Sequence, residues 1–153
     1  MTPEQLQAER QQLIGAMDVL CDTYHGGHHP LDALITMRRE LAVTGYRLSA
    51  HVKQVFGEAG LAYAVRKHTI AREILRERSL DAKKPEPMNV LEVKVLGVDD
   101  VKKAQSDEVW KDAEREALKA KLDFVKQVLS SMSQEISVLA FEARTTYHQS
   151  QGA

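Results

Sequence analysis

This chain has little of what most small folded proteins use to fix their shape. One cysteine, Cys21, stands alone, so no disulfide can form within the chain, and a reducing compartment is the expected setting. Aromatic residues make up only 5% of the sequence. Ala, Leu, Glu, Lys, Gln and Arg dominate, a composition that belongs to long helices rather than to a sandwich or barrel. No apolar run reaches 18 residues, so no membrane span is expected. The N-terminal MTPEQLQAERQQ lacks the basic start and apolar run of a signal peptide, and a soluble, cytoplasmic protein is expected. Neither sign of charge prevails: 21 Lys and Arg stand against 22 Asp and Glu. Net charge alone therefore predicts no anionic partner.

Hydrophobic residues reach 43%, enough for a packed core within one domain spanning residues 1–153. The longest stretch without Pro or Gly runs from Asp99 to about His148. Val101, Ala104, Val109, Ala113, Ala117, Ala120, Phe124, Val128, Met132, Ile136, Leu139 and Ala143 recur there at helical spacing. A single helix of that length would run roughly 70 Å at 1.5 Å per residue. It needs partners along its length, in its own chain or in copies of itself. The expected class is all-α: an N-terminal helical hairpin over 1–80, a linker over 81–88 and a C-terminal helical arm over 89–150. Together they form an extended, coiled-coil-like, oligomeric bundle.

Local signals agree with that outline. Thr2, Pro3 and Gln5 form a helix start, with Thr2 as cap, Pro3 at the first position and Gln5 three residues after the cap. Gly26-Gly27 ends this helix. Pro30 opens a second helix, whose wide apolar face includes Leu31, Leu34, Leu41, Leu48, Val52 and Val55. Gly57 and Gly60 offer a stop near Phe56, but good helix formers surround them, which favours one continuous or slightly kinked helix to Arg78. Lys83-Lys84-Pro85-Glu86-Pro87 cannot lie inside a helix. Residues 90–96 alternate like a strand through Leu91, Val93 and Val95, yet no second strand exists to pair with them. A short helix from Asn89 to Gly97 is favoured. Asp99 then caps the last helix, with Asp100 at its positive end.

Motifs for catalysis are missing. There is no Glu-x-x-His pair, no His-Glu-x-x-His, no phosphate-cradling glycine loop and no Gly-x-Ser-x-Gly elbow. An enzyme is not expected, and no cofactor is implied. His25, His28 and His29 with Cys21 form the one metal-like cluster. It lacks the second ligand pair of a tetrahedral zinc site, so it reads as a polar loop and no metal is expected.

Charge is distributed more tellingly. Residues 61–88 carry seven basic groups against four acidic ones, while the segments on either side are net negative. The block contains Arg66, Lys67, Arg72, Arg76, Arg78, Lys83 and Lys84, with Tyr63 about one turn ahead. Cations beside an aromatic ring suit single-stranded nucleic acid, whose backbone needs positive charge and whose bases stack. For a single copy the plainer reading is a solvated face, with Glu73 and Glu77 as local partners. In an oligomer, several weak patches add by effective concentration. Trp110, the only Trp, is expected to pack against the hairpin or against residues 90–96, with partner anchoring as the alternative. Phe124, Val128, Met132, Ile136 and Leu139 are candidates for a core or for a seam between copies.

The order of these parts carries a resemblance. Tyr63-Ala-Val-Arg66-Lys67-His-Thr-Ile-Ala71-Arg72 precedes a polar linker, then Val93-Lys94-Val95-Leu96-Gly97-Val98-Asp99-Asp100, then a long helix closing with Ala140-Phe-Glu-Ala-Arg144. From about residue 40 onward this resembles small phage-encoded recombination mediators of the UvsY type. The resemblance implies a helical protein that assembles into a closed oligomer in the host cytoplasm and binds single-stranded DNA covered by single-strand-binding protein. It further implies that the protein helps load a RecA-like recombinase. Arg66, Lys67, Arg72 and Arg76 inherit the DNA contact, and the C-terminal helix inherits assembly. The near-neutral charge and the many acids from Asp99 to Asp123 depart from the pattern. The competing expectation is a non-enzymatic protein–protein interaction module, such as a phage assembly chaperone or an inhibitor of a host system, acting through the long C-terminal helix.

Overall fold

The computed structural model describes residues 2–80 and 86–151, the last four as backbone only. The described chain is all-helical, with no strand: α1 (Pro3–His25), α2 (Leu31–Ala50), α3 (Val52–Leu80), α4 (Met88–Val95) and α5 (Asp99–Gln151). Two compact units emerge from its contacts. A terminal unit combines Met1–His51 with Leu118–Ala153, and a middle unit comprises Val52–Ala117.

In the terminal unit, α1 and α2 pack against each other and against the later part of α5. The reciprocal cap forms as its residues suggest. The Gln5 amide donates to Thr2 Oγ1 at 3.3 Å, and the Thr2 amide donates to Gln5 Oε1 at 2.8 Å. Gly26 closes α1 while staying right-handed, at φ −76°, so this stop uses no left-handed glycine. The core is built from long aliphatic side chains, with Met17, Leu34, Leu41, Leu48 and Met132 fully buried. Burying each removes about 1.5–3 kcal/mol worth of apolar surface from water. At Gly45 an added Cβ would stand 3.4 Å from Val125 Cγ1, which lets α2 approach α5 closely. Arg38 Nε donates to Ser133 Oγ at 2.7 Å, and Lys121 pairs with Asp18, tying α5 to α2 and α1 from outside the core.

The middle unit packs α4 against α3 and sets α3 antiparallel to the first part of α5. Its core is smaller in volume: Ile74, Leu91, Val95 and Val101, with Ile70 and Val98 beside them, and Val55, Ala59 and Ala104 also buried. Residues 90–95 are helical and Leu96 is the C-cap, in keeping with the lack of a partner strand. The α4 start differs from the expected Asn89 cap: Pro87 takes the cap position, and its carbonyl accepts from the Val90 and Leu91 amides at 3.0 and 3.1 Å. Asp99 is likewise not a cap but lies with Asp100 in the first turn of α5, where both carboxylates meet the positive helix end.

One expectation is corrected. The long second helix does not run unbroken from residue 31, nor does it stop near Phe56. The interruption is at His51, whose amide donates to the Leu48 carbonyl at 3.0 Å, an i to i−3 bond that tightens the last turn of α2. The His51 ring is buried, 3.5 Å from Glu9 Oε2, and Arg47 reaches the other Glu9 oxygen at 3.4 Å. A polar contact from another helix therefore marks the break. Gly57 and Gly60 lie inside α3, where an added Cβ would meet nothing within 4 Å.

Candidate nucleic-acid interface

The basic block occupies the second half of α3, and folding sorts its charges. The two carboxylates of this stretch turn inward: Glu73 is 5% exposed and Glu77 is half-buried. Lys67, His68, Arg72, Arg76 and Arg78 remain exposed. From Gly60 to Leu80, the fully exposed charges of α3 are thus cations, with Glu77 only partly accessible.

Most of these cations are nevertheless partnered. Arg66 is the least accessible and pairs with Glu108 of α5. Arg72 bridges Glu73 and Asp100, each at 3.1 Å, and Arg76 approaches Glu73 at 3.6 Å. Behind them, Lys94 binds Glu77 at 3.0 Å and Glu86 at 3.6 Å, and the hydrogen bond it donates to Glu77 holds its ammonium above the usual lysine range. Lys67 stands apart: among the described residues it makes no ion pair, and its ammonium lies 5.0 Å from the centre of the Tyr63 ring. Arg66 lies 5.6 Å from the same ring. Tyr63 is 45% exposed, so part of the ring stays open for stacking. Lys83 and Lys84 lie outside the described residues.

The partner candidates divide. Trp110 does not pack against the hairpin or α4; it is 71% exposed on α5, with Val109 exposed beside it. The opposite side of that helix carries the buried Val101 and Ala104, so the core leaves the indole outside. Val128 and Met132 are buried in the terminal unit's own core, which removes them from any surface that another molecule could touch. Ile136 and Leu139 are half-buried. Phe124 is exposed, its ring 5.5 Å from Lys121 Nζ and 6.5 Å from the His25 ring.

The histidine loop gathers no ligand set. His29 Nε2 lies 2.8 Å from the Thr23 carbonyl, and the buried Cys21 thiol is pushed up by that burial, which keeps it protonated at neutral pH. Among the described residues, no three His, Cys, Asp or Glu side chains stand together to hold a metal ion. No helix among them is long and apolar enough to cross a membrane.

Sequence reasoning missed the exposed apolar residues of α3: Leu61, Val65 and Leu75. A signal was present. Leu61, Ala64, His68, Ala71 and Leu75 alternate spacings of three and four, which places them along one face of a helix, and all five are exposed. No family model matches the chain, and comparison with curated proteins and with solved structures gives no match.

Proposed function

We propose that this chain is a non-enzymatic accessory protein of the cytoplasm that self-associates and holds single-stranded DNA along α3, as the phage recombination mediators it resembles do when loading a RecA-like recombinase. The observation that carries this reading is the sorting of charge on α3: carboxylates inward, cations outward, and an open tyrosine ring beside Lys67. Exposed ion pairs such as Arg72–Asp100 are worth about 0–1 kcal/mol, so a phosphate can replace the carboxylate at little cost. A single copy offers only a few phosphate contacts and binds weakly at physiological salt. Several copies on one strand multiply the effect.

A fluorescence anisotropy titration of labelled single-stranded DNA at two salt concentrations, with duplex DNA as competitor, tests this. Binding that prefers single strands and weakens with a log–log salt slope of about −0.7 per phosphate supports it. Lys67→Gln, Arg72→Gln and Arg76→Gln together should abolish that binding without unfolding the protein. Arg66 is left in place because its pair with Glu108 is part of the packing. Absence of binding at low salt would sink the reading. It would favour the second one, a protein–protein interaction module working through α5, for which the exposed Trp110 speaks.

A further inference from the structure

Two outward faces of the middle unit carry exposed apolar residues. On α3, Leu61, Ala64, His68, Ala71 and Leu75 form an exposed line, with Leu75 66% exposed. Their stretch, Gly60 to Leu80, holds five cations against two carboxylates. On α5, Val109, Trp110, Ala113 and Ala117 are all exposed. Their stretch, Ala104 to Ala117, holds five carboxylates against two cations, and both cations are already committed: Lys111 to Glu58 and Glu114, Arg115 to Asp112 and Glu116. Asp107, beside Trp110, is exposed and makes no ion pair among the described residues. Arg66 and Glu108 pair with each other between the two helices; without them the first stretch is still net positive and the second still net negative.

We propose that a second copy of this chain covers each face: the Trp110 face of α5 in one copy seats on the Leu61–Leu75 line of α3 in the next. This rests on the self-association within the function proposed above and assigns its contact. Charge complementarity selects the occupant, since either face meeting its own likeness would set like charges together. The two surfaces differ, so the contact is head-to-tail. Such a contact extends into a ring when its rotation closes and into a filament when it does not. The exposed indole is the anchor, and the small side chains of Ala64 and Ala71 leave room for it. Tyr63 and Lys67 lie to one side of the line on the helix and stay open to a DNA strand, while Arg72 and Arg76 lie to the other side and form the positive border of the contact.

A head-to-tail contact has a signature that a symmetric one lacks. Trp110→Glu spoils one face and Leu75→Glu the other; both side chains are exposed, so the fold should survive, which circular dichroism checks. Leu61→Glu substitutes for Leu75→Glu if that variant fails to fold. Light scattering after size exclusion, without DNA, should show the parent assembling with concentration while its Trp emission shifts to the blue. Each variant alone should self-associate at least about 30-fold more weakly, the loss that defines an interface hot spot. An equimolar mixture of the two variants should form a one-to-one dimer and nothing larger, because one intact contact remains between them. Variants that stay monomeric on mixing overturn the proposal, as does a Trp110→Glu protein that assembles like the parent; in that last case self-association stands and only its contact is wrong. A parent that is monomeric at every concentration overturns the contact and the self-association together, while DNA binding is read separately by anisotropy.

Discussion

The terminal unit builds its core from long aliphatic side chains, whereas the middle unit builds its core mostly from short ones. Met17, Leu34, Leu41, Leu48 and Met132 disappear into one core, with Lys121–Asp18, Arg38–Ser133 and the contacts of Glu9 to Arg47 and His51 outside it. The middle unit fills its core mainly with valine, alanine and single Ile and Leu residues and surrounds it with ion pairs between helices. It leaves Leu61, Leu75, Val109 and Trp110 to the solvent. Burial of aliphatic area stabilises without asking for a partner; exposed apolar residues in a charged frame stabilise only when something covers them. The contrast is one of core composition: long aliphatic side chains in one unit, short ones framed by ion pairs in the other.

The largest test of that contrast is a pair of core truncations. Leu41→Ala in the terminal unit should cost about 2–5 kcal/mol, the range for a fully buried leucine. Val101→Ala in the middle unit should cost about 2 kcal/mol, from two methyl groups at about 0.8 each plus the cavity. Urea unfolding reads both. Equal losses would mean that the two cores carry similar weight and would erase the distinction.

Next in size is Glu73→Gln, which removes the buried carboxylate holding Arg72 and Arg76. Both arginines are more than half exposed, so the stability loss should be only about 1 kcal/mol. DNA affinity should rise, since two cations lose a competing anion. A fall in affinity would mean that Glu73 positions the arginines instead of competing for them.

These two tests concern features of unequal legibility. The helices and the caps of α1 were readable because Thr2-Pro3-Gln5, Gly26-Gly27 and the apolar period act locally, whereas the caps expected at Asn89 and Asp99 were not found. The break at His51 was not, since no glycine or proline marks it and the Glu9 contact found there comes from a residue distant in sequence. Arg66 reads as an open cation until Glu108 arrives from α5. Trp110 looked like core because tryptophan usually is, and only the packing of Val101 and Ala104 on the other side of α5 shows otherwise. The inward turn of Glu73 was likewise invisible before the core face of α3 was known.

Alkaline pH should reach the units at different points. Burial pushes the Cys21 thiol up in the terminal unit. In the middle unit the Lys111 ammonium is raised first by its hydrogen bond to Glu58 at 2.7 Å, against the opposing pull of burial. Each group binds its proton more tightly folded than unfolded, so each contribution is complete at neutral pH and is lost as pH rises. The loss begins near the unfolded values, about pH 8.5 for the thiol and about pH 10.4 for the ammonium. Urea midpoints should fall first through Cys21, and Cys21→Ala should flatten that first decline. The smallest expected effect is a gain: Gly57→Ala, in open space within α3, should stabilise the middle unit by about 0.5 kcal/mol, seen as a small rise in the urea midpoint.

The single cysteine and the single tryptophan fall one in each unit, and in opposite situations: Cys21 is 2% exposed, Trp110 faces solvent. The chain therefore carries two native reporters that need no labelling scheme. A thiol reagent can consume Cys21 only during openings of the terminal unit, so its rate is a clock for breathing there. The indole, already wet, is insensitive to such openings and changes its emission when something docks on it. Stability and association, usually entangled in one signal, are read in this protein by two different atoms.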